Sequence, residues 1–376
     1  MNDTRTTNVE MMLVAGARPN FMKIAPIWRV ACQSRNIAAR IIHTGQHYDY
    51  AMSQSFFDDL ELPTPDAFLE AGSGSHAEQT GKIMTAFEQL CTNHQPDWII
   101  VVGDVNSTMA CTIVAKKLGI RVAHVEAGLR SRDMAMPEEI NRMLTDAICD
   151  RFFVTEQSGV DNLLQEGKNP DHIHFVGHVM IDNLFHQLER LETIEASRLS
   201  VHGVKRRLDR YIFATLHRPA NVDTREALTG IIQAFNTIAR DIPIVFPVHP
   251  RAQKQIAAFG LELSAHIIQL PPLGFRESLY LWKDAALVMT DSGGLQEETT
   301  AIGVPCLTLR FNTERPITLE MGTNKLVGNR KEDILRAAAA VLEPGAGNPS
   351  PVNRPPLWDG RAAERICDIL ADAGGA

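Results

Sequence analysis

The sequence predicts an α/β protein built from two Rossmann-like, doubly wound parallel-sheet domains facing a cleft. Three observations carry that reading. Short apolar runs alternate with longer amphipathic stretches along the chain, the pattern of repeated βαβ units. The run Trp98–Val102 is apolar at every position, as a strand covered on both faces should be. The alternation is interrupted once, by the charged, strand-free stretch Leu188–Arg210, and then resumes. A chain of 376 residues suits two hydrophobic cores rather than one.

The elements follow in order. Residues 1–10 are polar and read as a disordered lead. Over 11–180, the first domain, strands are expected at MMLVAG, ARIIHTG, WIIVVGD, IRVAHVE, RFFVT and HIHFVG. Between them lie helical patterns such as APIWRVACQS, AEQTGKIMTAFEQLC and NSTMACTIVAKKLG. Residues 181–210 form the connection. Over 211–358, the second domain, strands are expected at YIFATLH, IPIVFPVH, AHIIQLP, ALVMTD, PCLTL and KLVG. EPGAGNPSPVNRPP is a Pro/Gly-rich loop. Residues 359–376 read as a final helix that packs back toward the first domain.

Composition limits the partners. With 37 Lys and Arg against 45 Asp and Glu, the net charge is −8. No basic surplus points to nucleic acid or an anionic membrane. No apolar stretch approaches the length of a membrane span, and the N-terminus lacks a signal-peptide core. The six cysteines are scattered, with no CxxC pair, so free thiols and a cytoplasmic setting are expected.

In doubly wound folds ligands bind beyond the carboxyl ends of the strands, so polar residues there are the candidates. In VMTDSGGLQEE, Ser292, Gly293 and Gly294 stand where a strand hands over to a helix. Bare amides and the helix dipole favour an anion at such a place, although a plain tight turn has the same composition. Glu298, one turn further, repels phosphate but can accept from two ribose hydroxyls, so the pair describes a nucleoside diphosphate. Cations for its charge are Arg315 and, after the first strand, Arg18 with Lys23. Asp104 and Glu126 end strands, and Glu138 opens a helix behind Pro137. Singly, each reads as a cap or a dipole partner. Together they supply carboxylates for acid–base work. His217 and His249 end strands of the second domain. His172, His174 and His178 raise a metal reading, but no cysteine or carboxylate completes the set, and no metal is expected.

Taken together, GARPNFMKIAP, TGQHYDY, GDVNST, HVEAGLRS, MPEEINR, VGHVMIDNL, LHRPAN, PVHP, TDSGGLQEE and TERP with GTNKLVG resemble the non-hydrolysing UDP-N-acetylglucosamine 2-epimerases, in order from Val14 to Gly328. The resemblance implies a glycosyltransferase B-type fold whose second domain binds UDP, a UDP-sugar substrate, no cofactor, and a homodimer, as is frequent in the family. It implies inversion at C2, interconverting UDP-N-acetylglucosamine and UDP-N-acetylmannosamine. UDP leaves anti to the C2 proton to give a 2-acetamidoglucal, then re-adds. It further implies Asp104, Glu126, Glu138 and His217 as catalytic residues. The implied UDP-sugar contacts are Arg18, Lys23, His249, Phe275, Ser292, Gly293, Gly294, Glu298 and Arg315. Two departures stand out. Asn20 occupies the place of an acid in GARPN, and Gln46–His47 is followed by Tyr48 and Asp49 instead of the basic residues of activator-binding members.

Alternatives are a C2 epimerase of a modified UDP-amino sugar, such as a diacetamido-uronic acid or a deoxyhexosamine, a UDP-sugar glycosyltransferase of the same fold, a hydrolysing epimerase, and a nucleotide-sugar sensor without turnover.

Overall fold

The computed structural model describes residues 9–45, 57, 59–343 and 353–373. The chain divides into two compact units, Met1–Phe185 with Pro356–Ala376, and His186–Pro355. Boundaries were expected at 180/181, 210/211 and 358/359; those of the units fall at 185/186, inside helix Val179–Thr193, and at 355/356, so residues 186–210 of the expected connection belong to the second unit. Residues 1–8 of the expected lead lie outside the described residues, whereas Val9 and Glu10 already belong to the first strand. Gln46–Asp49 and residues 344–352 of the Pro/Gly-rich loop also lie outside them.

The first unit holds β1 (Val9–Ala15), β2 (Ile37–His43), β3 (Ala67–Phe68), β4 (Trp98–Val102), β5 (Arg121–Val125), β6 (Arg151–Val154) and β7 (Ile173–Phe175). Their order is β3-β2-β1-β4-β5-β6-β7, and every pairing is parallel. β3 went unforeseen, because two residues carry no period. Alternate side chains of β1 and β4 enter two different cores. Met11, Leu13, Trp98, Ile100 and Val102 pack with helices Arg18–Gln33 and Ala362–Ala373. Met12, Val14, Ile99 and Val101 pack with helices His76–Asn93 and Asn106–Lys117. That two-sided burial is why β4 is apolar throughout.

The C-terminal helix is part of the first unit. It buries Ile366 and Leu370, each stabilising by roughly 1.5–3 kcal/mol relative to exposure. The amide of Ala363 donates to Asp182 Oδ2 at 2.6 Å, which anchors the first turn. Trp358, just ahead of the helix, is buried and donates to the Thr155 carbonyl at 3.3 Å.

The second unit holds β8 (Ile212–Thr215), β9 (Ile244–Pro247), β10 (Ile267–Leu270), β11 (Leu287–Thr290), β12 (Cys306–Thr308) and β13 (Asn324–Leu326), in the order β10-β9-β8-β11-β12-β13. All pairings are parallel. Phe235, Phe246 and Ile334 are part of its core. The fold is thus two parallel-sheet α/β domains. Strand order reverses between β1 and β4 in the first and between β8 and β11 in the second. These are the switch points at which such sheets bind ligands.

Candidate active site

At the first switch point, β1 turns into helix Arg18–Gln33. Asn20 is buried and fixes the turn. Its Oδ1 accepts from the amides of Gly16 (3.2 Å) and Ala17 (3.0 Å), and its Nδ2 donates to the Val102 carbonyl at 3.1 Å. A carboxylate cannot make that last bond. The departure from the acid of the family pattern therefore ties the turn of β1 to the end of β4. Arg18 is exposed at the start of the helix, and Lys23 is half-buried. The Lys23 ammonium meets Glu126 Oε2. Gly103, with φ +67°, leaves room for this pair, since a Cβ there would lie 2.9 Å from Lys23 Nζ.

Glu126 follows β5, is 5% exposed, and has φ +71°. For a non-glycine residue that conformation costs roughly 1–3 kcal/mol, and such strain gathers at functional sites. Asp104, after β4, is bonded by Arg142 Nη2. The other arm of Arg142 reaches Glu139 Oε2 at 2.6 Å. Glu139 also accepts from the amides of Ser131 (3.0 Å) and Arg132 (2.9 Å). Burial would raise its carboxyl, but those amides and Arg142 hold it below the ordinary range. Asn141 Nδ2 donates to the Asp104 carbonyl at 3.0 Å.

Glu139, Asn141 and Arg142 all lie on helix Pro137–Ile148. Glu138, the residue singled out from the sequence, is exposed near its start, and its neighbour Glu139 is the buried carboxylate. Glu139, Asn141 and Arg142 were missed. The i, i+3 spacing of Glu139 and Arg142 was the available signal.

At the second switch point, His217 follows β8 and Asp291 follows β11. His217 Nδ1 lies 3.0 Å from Asp291 Oδ1, with the acid fully buried and the imidazole 40% exposed. Asp291 further accepts from the amides of His217 (3.0 and 3.1 Å) and Arg218 (2.9 Å) and from Asn221 Nδ2 (3.2 Å). Burial would raise its carboxyl, but His217 and these amides hold it low. The acid therefore orients the ring and leaves Nε2 available for chemistry. Asp291 was noted as a strand-end residue, but its orienting role was not foreseen.

The His249 ring lies 6.1 Å from that of His217. Its Nδ1 accepts from the Arg251 amide at 3.2 Å, capping helix Pro250–Ala258. Burial, then His217, lowers its basicity. Both histidines line a cavity of about 170 Å³, with Thr215, Pro272, Leu273 and Ser278. Phe275 opens helix Phe275–Trp282 and is half-buried.

Ser292 caps helix Gly293–Ile302, its Oγ accepting from the Leu295 amide at 3.5 Å, and Gly293 and Gly294 form the first turn. Glu298 is 7% exposed, and its carboxyl is pushed up to about 8 by burial and by Glu297. Arg315 Nε lies 2.6 Å from Glu297 Oε1, which brings the guanidinium to the acid beside Glu298.

Among the described residues, no group of three or more His, Cys, Asp or Glu is placed to hold a metal ion. His178 packs edge-on against Trp358 at 5.2 Å. No described helix is long and apolar enough to cross a membrane.

Residues 30–371 match the family model described as UDP-N-acetylglucosamine 2-epimerase. The chain is 42% identical to the UDP-N-acetylglucosamine 2-epimerase of Methanocaldococcus jannaschii, over 96% of this chain and 99% of that protein. It is 37% identical to the UDP-2,3-diacetamido-2,3-dideoxy-D-glucuronate 2-epimerase of Pseudomonas aeruginosa, over 96% and 99%. Among solved structures it resembles the M. jannaschii UDP-GlcNAc 2-epimerase in complex with UDP-GlcNAc and UDP, with a TM-score of 0.83 and 41% identity over 97% and 100% of the two chains. It also resembles the Neisseria meningitidis UDP-GlcNAc 2-epimerase bound to UDP-GlcNAc, with a TM-score of 0.85 and 26% identity over 97% and 100%.

Proposed function

The chain belongs to the UDP-N-acetylglucosamine 2-epimerase family, and from that premise we propose that it is a non-hydrolysing epimerase interconverting UDP-N-acetylglucosamine and UDP-N-acetylmannosamine. The observation that carries the reading is the pair Asp104 and Glu126. They follow two neighbouring strands, β4 beside the switch point and β5 next to it, one held by Arg142 and the other, strained, by Lys23.

In this mechanism a carboxylate takes the C2 proton while the C1–O bond to UDP breaks on the opposite face. The electron pair of the C2–H bond becomes the C1–C2 double bond of a 2-acetamidoglucal. UDP then returns to C1, and a second acid delivers a proton to the other face of C2. Two faces require more than one acid–base group, hence Asp104, Glu126 and Glu138. His217, held by Asp291, is the acid–base or cationic group of the second unit. The departing diphosphate is stabilised by Ser292, Gly293 and Gly294 at the helix N-terminus and by Arg18, Lys23 and Arg315. Glu298 takes the ribose hydroxyls. His249 and Phe275 complete the contacts to UDP-sugar.

Incubation with UDP-N-acetylglucosamine in heavy water tests this. Deuterium at C2 of a sugar still attached to UDP supports it. Net release of UDP with free N-acetylmannosamine refutes the non-hydrolysing part, and no exchange refutes this substrate. The P. aeruginosa relative favours a second reading, in which the substrate is a UDP-diacetamido-uronic acid. Running both sugars side by side decides between them.

We further infer a homodimer. Helix Pro137–Ile148 exposes Ile140, Met143, Leu144 and Ile148 at 39–44%, a stripe that a second copy would cover. Free cysteines throughout the described residues go with a cytoplasmic location.

A further inference from the structure

We propose that His124 and Asp146 are positioning residues that lock the turns carrying Asp104 and Glu126 into one fixed arrangement. What those two carboxylates do rests on the epimerase reading; the geometry does not. His124 is the fourth residue of β5, and Asp146 lies on helix Pro137–Ile148; both side chains are 0% exposed. His124 Nε2 lies 2.8 Å from the Gly103 carbonyl, and Nδ1 lies 2.6 Å from Asp146 Oδ1. Asp146 Oδ2 accepts from the Gly128 amide at 3.0 Å and from Arg130 Nη1 at 2.8 Å. Burial alone would raise the Asp146 carboxyl, but His124 and Arg130 hold it below the ordinary range. With a carboxylate on one side and a carbonyl on the other, both ring nitrogens of His124 face acceptors. A histidine that merely fills a core needs no such pair of acceptors.

The consequence falls on two turns. Gly103, directly before Asp104, is gripped at both ends. Its amide donates to the Val125 carbonyl at 3.1 Å and its carbonyl accepts from His124. Gly128 stands two residues beyond the strained Glu126, with φ +78°, and a Cβ there would fall 2.3 Å from the Gly159 carbonyl oxygen. Its bond to Asp146 closes the strained stretch from the far side. The amides of Glu126 and Ala127, which both donate to the Phe153 carbonyl (3.0 and 3.1 Å), close it from the near side. One buried His–Asp contact thus spans the ends of β4 and β5. It fixes the backbone from which both carboxylates must reach C2, where a displacement of an ångström is costly.

The test joins a spectroscopic and a kinetic readout on the full chain. In protein labelled with ¹⁵N-histidine, the ring that disappears in His124→Gln should show both nitrogens protonated; a ring with one bare nitrogen overturns the proposal. Asp146→Asn and His124→Gln should each lower kcat, counted per UDP-binding site by calorimetry, by about tenfold to a hundredfold. KM for the active UDP-sugar should move by less than about threefold. Counting per site removes any loss caused by misfolded protein. Wild-type kcat per site in both variants overturns the positioning role. Absence of turnover in the wild type with every UDP-sugar tried would instead sink the epimerase reading, and the ring-nitrogen result would still decide whether the pair exists.

Discussion

Replacing Glu298 with Gln should remove a pH dependence from UDP binding. The Glu298 carboxyl is buried beside Glu297 and is pushed up to about 8 from an ordinary 4.5. At pH 7 such a group carries its proton about nine-tenths of the time. Accepting from two ribose hydroxyls calls for the ionised form, so binding expels that proton. If the bound group returns toward its ordinary range, UDP affinity rises by up to about tenfold per pH unit between about 4.5 and about 8, and then levels off. From pH 6 to 8 the limit is about fiftyfold, or about 2.3 kcal/mol. The terminal phosphate of UDP titrates near pH 6 as well. The informative quantity is therefore the difference between wild type and Glu298→Gln. Calorimetry at pH 6, 7 and 8, in buffers of different ionisation enthalpy, measures both the affinity and the protons released. The wild type should release close to one proton more than the variant at pH 7. Equal proton release and equal pH slopes in the two proteins would refute the reasoning. The same shift has a sign for stability. The folded protein holds more protons at this group than the unfolded chain between about 4.5 and about 8, so this group's contribution falls as pH rises through that window.

Asp104→Asn, Glu126→Gln and Glu138→Gln should each lower turnover by about 10²–10⁴-fold while UDP affinity stays at the wild-type value; a near-wild-type rate in a steady-state assay removes that residue from the mechanism. Asn20→Asp replaces the Nδ2 donor facing the Val102 carbonyl with an acceptor and should destabilise the fold by about 1–3 kcal/mol, read as a lower midpoint in urea; an unchanged midpoint contradicts the role given to the amide. Leu144→Glu puts a charge in the exposed apolar stripe and should convert a dimer to a monomer in sedimentation velocity; a monomeric wild type disposes of the inferred interface.

Much of the fold was legible because burial leaves a pattern. β4 is apolar at five consecutive positions because its two faces enter two cores. The strands β8 to β12 of the second unit fall inside the runs that announced them, and β13 starts one residue ahead of its run. Where local pattern is thin, the reading thinned too. Two residues are too few to announce β3. Helix Arg18–Gln33 runs through Pro26, which in isolation reads as a break, and one unit boundary falls inside a continuous helix. A helix that ends one unit and starts the next has no local signature.

The site divides along the same line. Asp104, Glu126, His217 and Asp291 were visible because each closes an apolar run, and in a parallel sheet that places them on the strand-end face. The groups that hold them were not visible, and helix Pro137–Ile148 shows why. Hydrophobic periodicity assigns a helix two faces, and the usual assumption turns the apolar one inward. Here Ile140, Met143, Leu144 and Ile148 face solvent, while Glu139, Asn141, Thr145 and Asp146 are buried. Burying four polar side chains is tolerable only if each finds partners. Glu139 takes three donors, Asn141 bonds the Asp104 carbonyl and Asn106, Thr145 donates to the Asn141 carbonyl, and Asp146 receives His124, Gly128 and Arg130. Most of those partners lie in or beside the turns that carry Asp104 and Glu126. The helix therefore violates the ordinary pattern beside the turns that carry Asp104 and Glu126, and such violations are expected where a fold serves a site and not its own stability.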